Sequence, residues 1–229
     1  MKTTRNVYNY TNKRISSMNY LLSLPEDNSA ESLGLIVMLH GAGERGVNVA
    51  NVYRHGIPEL VAEGREIPAI LLFPQCPAWA VWDNVVDRVK GLIDSIAKDF
   101  SVDMSRITIT GSSMGGYGSF AMGLSYPNFF AGIAPVAGGG MSWRAGRLRK
   151  TPVLAIYGEK DGAVPFVCSE LMVNNLKNAG GNVEFISLKN FDHNDGIDFA
   201  YRSTKLISWL LAQKRTSFDY VPDICEDCF

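Results

Sequence analysis

The chain has 229 residues, of which 46% are hydrophobic and 20% charged, and its 22 Lys and Arg residues nearly balance 23 Asp and Glu residues. This length fits one compact domain, so we predict a single domain over residues 1–229 with a tail from about residue 212. The near-neutral charge argues against nucleic acid as a partner. The longest apolar runs have only strand length, so we predict a soluble cytoplasmic protein that does not bind membranes.

Short apolar segments along the chain predict the strands of a buried sheet. Residues 18–24 alternate in hydropathy and predict an early, half-buried strand. Runs rich in Ile, Val and Leu predict strands that are buried on both faces. These runs lie at 34–39, 69–73, 106–110 and 152–157, with weaker ones at 131–137 and 183–188.

Helical patterns lie between these strands. One apolar stripe, formed by Val85, Val89, Leu92, Ile93, Ile96 and Phe100, predicts a helix. A second helix is predicted through Leu171–Ala179, closed by Gly180-Gly181, and a third over 197–211. Alternating strands and helices predict an α/β fold with a mostly parallel sheet that has helices on both faces.

The strongest chemical signal is the sequence Gly111-Ser-Ser-Met-Gly115, which joins a buried strand to a helical segment. This G-x-S-x-G pattern in a strand–turn–helix context is typical of a nucleophilic serine held at a sharp turn. Glycines two positions before and after the serine leave room for the neighbouring backbone. Ser113 meets this condition, whereas Ser112 has the larger Thr110 and Met114 at those positions. We therefore predict that Ser113 is the nucleophile.

A serine nucleophile needs a hydrogen-bonded base, and in this architecture the base follows the serine and the acid in chain order. The chain contains three histidines, His40, His55 and His193, and only His193 follows Ser113. We predict His193 as the base, in a polar loop between the strand at 183–188 and the last helix.

The acid is expected after the strand at 152–157, in the segment Glu159-Lys-Asp161-Gly162. We choose Asp161, because a turn at Asp161-Gly162 would hold a short carboxylate rigidly. Glu159 is its rival at the same strand end. Asp192 and Asp195, which flank the histidine, are interpreted as loop residues.

Acyl transfer also requires N–H donors aimed at the developing oxyanion. We predict one from the backbone of Met114 and a second from Ala42 or Gly43, in the glycine-rich loop after the strand at 34–39. That loop also reads as G-x-G-x-x-G, which would favour a dinucleotide site. The acidic residue that such a site needs after the next strand is missing, so we disfavour that interpretation.

These motifs resemble the α/β-hydrolase superfamily, and within it the small bacterial esterases described as phospholipase/carboxylesterase, feruloyl-esterase-like or predicted peptidase. The resemblance is carried by five segments, which are Tyr20–Pro25, Leu39–Gly46, Phe73–Pro77, Ile109–Gly118 and Tyr157–Gly162. It implies an α/β-hydrolase fold, a triad of Ser113, Asp161 and His193, and an oxyanion loop at Gly41 to Gly43. The flanks of His193 depart from the family pattern, in which glycine usually precedes the histidine.

The resemblance implies a serine carboxylesterase that needs no metal and no organic cofactor. The short intervals between the triad residues, 48 and 32 positions, leave no room for a lid domain. We expect a small-molecule ester substrate, with short or aromatic acyl groups favoured. Aromatic side chains near the predicted site could form its wall, and these are Trp79, Trp82, Tyr117 and Trp143.

Several alternatives remain open at the level of sequence. A lysophospholipase or a serine peptidase or amidase would use the same triad, and a binding protein could keep the scaffold without the chemistry. The pair Cys225 and Cys228 in the tail lacks the further ligands of a zinc site, so we interpret the tail as solvated. The sequence does not define the oligomeric state.

Overall fold

One mixed sheet forms the centre of the molecule, which a computed structural model describes at residues 1–9, 17–26 and 32–217. Eight strands are formed by the described residues, in the order β1-β2-β4-β3-β5-β6-β7-β8. They are β1 (Lys2–Asn9), β2 (Ser17–Leu24), β3 (Leu33–Leu39), β4 (Ile70–Pro74), β5 (Val102–Ser112), β6 (Gly132–Val136), β7 (Val153–Gly158) and β8 (Val183–Leu188). Strand β2 is antiparallel to β1 and β4, and the other neighbours are parallel, which confirms the mostly parallel sheet.

Helices flank the sheet. They are α1 (Ile57–Ala62), α2 (Val86–Asp99), α3 (Met114–Ser125), α4 (Val167–Asn178), α5 (His193–Ser203) and α6 (Leu206–Ala212). Short 3-10 helices occupy Ala42–Glu44, Val49–Arg54, Trp82–Val85 and Ser142–Leu148. Within the described ranges, no helix combines the length and the hydropathy that a bilayer crossing requires.

Two apolar layers, one on each face of the sheet, bury the strands. In β3, Leu35 and Val37 join the layer that contains α2, α3 and α4 residues, whereas Ile36 and Met38 join the layer that contains α1, α5 and α6 residues. Because successive side chains of a strand point to opposite faces, such a strand must be apolar at nearly every position. The predicted helices on both faces are therefore confirmed.

The predicted helix α2 is confirmed, since its apolar stripe is buried. The predicted end of α4 is also confirmed. Gly180 has a φ of +74°, and the N–H groups of Gly180 and Gly181 donate to the carbonyls of Lys177 and Leu176 at 3.0 and 2.9 Å. This pattern is a Schellman motif, in which a glycine in the left-handed region closes the helix.

The predicted helix over 197–211 is wrong in its bounds. The segment forms two helices, α5 and α6, because Thr204 adopts an extended conformation between them, with φ −102° and ψ 176°. Helix α5 also begins earlier than predicted, at His193, where the side chain of Asp192 accepts a hydrogen bond from the N–H of Asp195 at 3.0 Å. This N-cap satisfies one of the donors that a helix start leaves unpaired.

The first strand, β1, was not predicted. Among the strands of the described residues, it lies at the edge of the sheet and has β2 as its one neighbour. Its sequence, KTTRNVYN, is largely polar and its side chains are mostly exposed, so it carries no apolar run to reveal it. The tail pair Cys225 and Cys228 lies outside the described residues.

Candidate active site

The candidate site lies at the carboxyl edge of the parallel strands, where ligands bind in open α/β sheets. Ser113 directly follows β5, Asp161 follows β7 by three residues, and His193 begins α5 after β8. The fold thus brings to one edge three residues that are distant in sequence.

The backbone at Ser113 adopts a strained conformation. Its φ of 56° and ψ of −119° lie in a region that residues with a side chain rarely adopt. The flanking glycines have no space for a side chain. A Cβ at Gly111 would lie 2.3 Å from the carbonyl oxygen of Gly115, and a Cβ at Gly115 would lie 1.9 Å from the carbonyl oxygen of Leu39. The predicted requirement for glycine at both positions therefore has a steric cause.

Ser113, His193 and Asp161 form a continuous chain of hydrogen-bonding contacts. The Nε2 atom of His193 lies 3.0 Å from Oγ of Ser113, and its Nδ1 atom lies 2.6 Å from Oδ2 of Asp161. The other carboxylate oxygen of Asp161 accepts from the backbone N–H groups of Ala163 and Val164, at 2.9 and 2.8 Å. A carboxylate fixed in this way holds the Nδ1 proton and leaves Nε2 able to accept the proton of the serine.

The other carboxylates considered from the sequence have different partners. The Oε1 atom of Glu159 accepts a hydrogen bond from the hydroxyl of Ser187 at 2.7 Å, on the exposed side of the strand end. Asp192 caps α5, and Asp195 lies in the first turn of that helix rather than in a loop. Of the candidate acids, Asp161 is the one in contact with His193. His193 itself lies in the first turn of α5, not in the loop that the sequence predicted.

The predicted oxyanion donors lie beside the serine. Met114 is the first residue of α3, so its N–H has no acceptor within the helix. Ala42 and Gly43 lie in the 3-10 helix after β3 and line a cavity of about 280 Å³ together with Ser113 and His193. Their role as donors to the oxyanion, including the choice between Ala42 and Gly43, stays a prediction.

His40, to which the sequence assigned no role, anchors the loop that carries these donors. It is buried, with Nδ1 2.6 Å from the carbonyl oxygen of Gly41, while Nε2 accepts the backbone N–H of Cys76 at 2.9 Å. Burial lowers the pKa of His40 to about 4. The imidazole is therefore neutral at pH 7 and joins the loop after β3 to the loop after β4. The sequence signal for this role was the position of His40, between the end of β3 and Gly41.

The structure contradicts one of the predicted wall residues. Trp82 is only 1% exposed and belongs to the core. Its Nε1 donates to the carbonyl oxygen of His40 at 2.9 Å, so it supports the oxyanion loop from below and cannot face a substrate. Trp79, in the loop after β4, is 61% exposed, and Trp143, in the 3-10 helix after β6, is 79% exposed. Neither residue lines the cavity at Ser113, so their role as wall residues stays a prediction.

Tyr117 lies one helical turn after Ser113 and lines a second cavity of about 170 Å³, which runs along α3. The walls of this cavity are largely apolar and include Leu124 and Met141, with Asp83 and Arg144 as charged members. Burial raises the pKa of the Tyr117 hydroxyl, and the neighbouring Cys168 adds to this rise. The hydroxyl is therefore a neutral group.

Solved structures share this fold. A thermostable esterase superimposes with a TM-score of 0.77 at 27% identity, over 92% of this chain and 63% of that protein. A feruloyl esterase module from Clostridium thermocellum has a TM-score of 0.73 at 13% identity, over 96% of this chain and 91% of that module. An acylaminoacyl peptidase from Pyrococcus horikoshii has a TM-score of 0.67 at 15% identity, over 96% of this chain and 43% of that peptidase. The protein therefore has the α/β-hydrolase fold.

The sequence profile of the phospholipase/carboxylesterase family matches residues 26–201, and the chain belongs to that family. A curated relative is 2-hydroxy-6-oxononadienedioate/2-hydroxy-6-oxononatrienedioate hydrolase 1 from Pseudomonas putida, which is 29% identical over 136 residues. That match covers 55% of this chain and 44% of the hydrolase. The poly(3-hydroxyalkanoate) depolymerase C of Paucimonas lemoignei is 41% identical over 51 residues, covering 22% of this chain and 12% of the depolymerase. The chain thus spans less than half the length of these curated relatives.

Proposed function

We propose that the protein is a serine carboxylesterase that hydrolyses short or aromatic acyl esters through an acyl-enzyme. The observation that carries this proposal is the chain of contacts from Ser113 through His193 to Asp161, at 3.0 and 2.6 Å. This geometry places a nucleophile, a base and an orienting acid within hydrogen-bond reach of one another.

In the first half of the reaction, Oγ of Ser113 attacks the ester carbonyl while Nε2 of His193 takes the hydroxyl proton. Asp161 stabilises the imidazolium that forms, and the backbone N–H groups of Met114 and of Ala42 or Gly43 stabilise the oxyanion. When the tetrahedral intermediate collapses, the C–O bond to the alcohol breaks and His193 gives its proton to the leaving oxygen.

In the second half, water replaces the alcohol. His193 takes a proton from a water molecule, whose oxygen attacks the acyl carbonyl. Collapse of the second tetrahedral intermediate breaks the bond to Oγ of Ser113, and His193 returns the proton to the serine. The products are the carboxylic acid and the free enzyme.

The preference for short or aromatic acyl groups is supported by the dimensions of the site. The cavity at Ser113, of about 280 Å³, lies just below the usual range of ligand pockets, roughly 300–1,000 Å³. The apolar cavity along α3 begins at Tyr117 and could take a flat ring. The solved feruloyl esterase module shares this fold, in agreement with an aromatic ester substrate.

Two other hydrolase activities would use the same triad. A lysophospholipase is favoured by the description of the family, and an amidase or peptidase by the fold shared with acylaminoacyl peptidases. An amidase must also protonate an amine leaving group. Rates on paired esters and amides, and on a chain-length series, separate these activities from the proposed one.

The first test replaces Ser112 and Ser113, the two serines of the Gly111–Gly115 segment, one at a time. Ser113→Ala should lower kcat for p-nitrophenyl butyrate by about 10⁶-fold, because the nucleophile is lost. Ser112→Ala should retain most of the activity, since Ser112 ends β5 and is buried. A fluorophosphonate should label the wild type and the Ser112→Ala variant but not Ser113→Ala. Labelling of Ser112, or full activity of Ser113→Ala, would contradict the assignment.

The second test compares kcat/KM for acetyl, butyryl, feruloyl and palmitoyl esters. The proposal expects a maximum at a short or an aromatic acyl group. A value that climbs steadily to palmitoyl would favour the lysophospholipase, because each additional buried CH₂ contributes about 0.8 kcal/mol in a deep apolar site.

A further inference from the structure

The carboxylate of Glu44 lies in the wall of the cavity that contains Ser113 and His193. Its side chain is only 7% exposed. A Cβ built on Gly41 would lie 3.2 Å from Oε2 of Glu44 and 3.7 Å from Cβ of Ser113, so the carboxylate and the nucleophile flank the same glycine. The proposed mechanism gives Glu44 no part.

Two histidines and one arginine are the basic groups nearest to this carboxylate, and none of them donates a hydrogen bond to it. Nδ1 of His40 lies 3.8 Å away, but its proton is directed to the carbonyl of Gly41, and burial lowers the pKa of His40 to about 4. Nε2 of His55 lies 3.9 Å away, at the mouth of the cavity, with a side chain that is 57% exposed. Arg45 turns elsewhere and donates to the carbonyls of Ala42 and Ala80.

Both histidine contacts are longer than hydrogen bonds, and the described part of the chain makes no hydrogen bond to this carboxylate. Because this carboxylate faces the cavity, a bound substrate would remove it from water without giving it a hydrogen-bond partner, which costs free energy. The carboxylate also places negative charge near the point where a second negative charge, the oxyanion, develops. A positively charged group on the substrate would remove both costs at once.

We propose that Glu44 determines specificity by selecting esters that carry a cationic group, such as a protonated amine, near the scissile bond. This inference rests on the proposed esterase function and narrows its substrate class. Substrates with a carboxylate at the same position are disfavoured by like-charge repulsion.

The test uses matched esters with Glu44→Gln, which removes the charge and keeps the shape. On the acyl side, p-nitrophenyl 6-aminohexanoate is compared with the neutral heptanoate and with the anionic hydrogen adipate. On the alcohol side, butyrylthiocholine is compared with its neutral isostere, S-(3,3-dimethylbutyl) thiobutyrate. The control is Glu184→Gln, which removes one exposed carboxylate in β8, paired with Lys205 near the opposite edge of the sheet.

In at least one series, the wild type should favour the cationic ester over the neutral one by about tenfold in kcat/KM, as expected from about 1.4 kcal/mol of charge interaction. Glu44→Gln should abolish this preference and raise kcat/KM for the adipate relative to the neutral ester. Glu184→Gln should behave as the wild type.

Two results would overturn the inference. One is an unchanged ratio of cationic to neutral ester in Glu44→Gln, on both sides of the ester. The other is an equal loss on all esters, which would make Glu44 a support of the loop rather than a selector. No turnover of the neutral esters by the wild type would instead refute the esterase function itself, and this inference with it.

Discussion

The residues that hold the triad at the Ser113 cavity and the tryptophans proposed to contact the substrate differ in how tightly the surrounding backbone packs against them. In the floor of the site, formed by Gly111, Ser113, Gly115, Asp161 and His193, the two glycines have no space for a side chain. A single Cβ at Gly115 would come within 1.9 Å of a backbone oxygen. Trp79 and Trp143, which we propose as the rim of the site, are 61% and 79% exposed. Positions that fix the reacting atoms thus tolerate no change of shape, whereas rim positions can vary at little cost to the fold.

Among the remaining predictions, the largest effect is the fall in kcat expected when Asp161, the acid of the triad, is replaced. Asp161→Asn should lower kcat by roughly 10³–10⁴-fold, because the amide no longer holds the histidine in the required tautomer. Glu159→Gln should change kcat by less than about twofold, because Glu159 contacts Ser187 instead. Steady-state kinetics on p-nitrophenyl butyrate measure both. An active Asp161→Asn enzyme with an inactive Glu159→Gln enzyme would reverse the assignment.

The next effect concerns the tight packing of the floor. Gly115→Ala should lower the free energy of unfolding by about 4 kcal/mol, because the added methyl group meets the backbone of Leu39. The matched control is Gly162→Ala, where an added Cβ would meet nothing within 4 Å and the change should stay within about 0.5 kcal/mol. Urea unfolding measures both. Equal stability of the two variants would show that the backbone around Gly115 can accommodate a side chain.

A smaller loss of stability, confined to low pH, is expected from His40. Its pKa in the folded state is lowered to about 4. Between the ordinary histidine pKa of about 6.5 and this value, the unfolded chain binds a proton that the folded protein does not. The contribution of His40 to the free energy of unfolding is therefore complete above about pH 6.5 and decreases as the pH falls below it. At pH 4 the loss should be about 3 kcal/mol relative to pH 7.

This loss is measured against His40→Asn, whose amide can donate and accept but does not titrate. Urea unfolding at several pH values should show a steeper fall for the wild type. Parallel curves for the two proteins would mean that His40 has the same pKa in the folded and unfolded states.

The smallest effect is expected at the rim. Trp143→Ala should leave the free energy of unfolding within about 0.5 kcal/mol and lower kcat/KM for a feruloyl ester by about threefold to tenfold, as loss of one aromatic contact predicts. The acetyl ester serves as the control and should be unaffected. A destabilisation above about 2 kcal/mol would place Trp143 among the packed residues and not at the rim.

The floor could be read from the sequence because its requirements are local. The spacing of Gly111, Ser113 and Gly115 follows from backbone sterics at one turn, and chain order alone selected His193. The strands were predicted because burial on both faces forces an apolar residue at nearly every position. Asp161 could be chosen over Glu159 only by an argument about turn rigidity, and contact with His193 now distinguishes them.

What the sequence could not reveal depends on contacts between distant segments. Trp82 was expected to line the site, but its Nε1 donates to the carbonyl of His40, 42 positions away in the chain. The break between α5 and α6 at Thr204 interrupts an apolar stripe that continues on both sides. The early start of α5 did leave a local signal, since Asp192 followed by Asp195 fits an N-cap.

The hydrogen bond between Ser113 and His193 joins residues 80 positions apart, and the one between His193 and Asp161 joins residues 32 positions apart. Contacts of such long range form only after large loops have closed, which makes them slow and late in folding. On refolding, the circular dichroism signal of the helices can therefore return before the side chains of Ser113, His193 and Asp161 come into contact. Enzymatic turnover, unlike circular dichroism, counts only chains in which the last long-range contacts have formed.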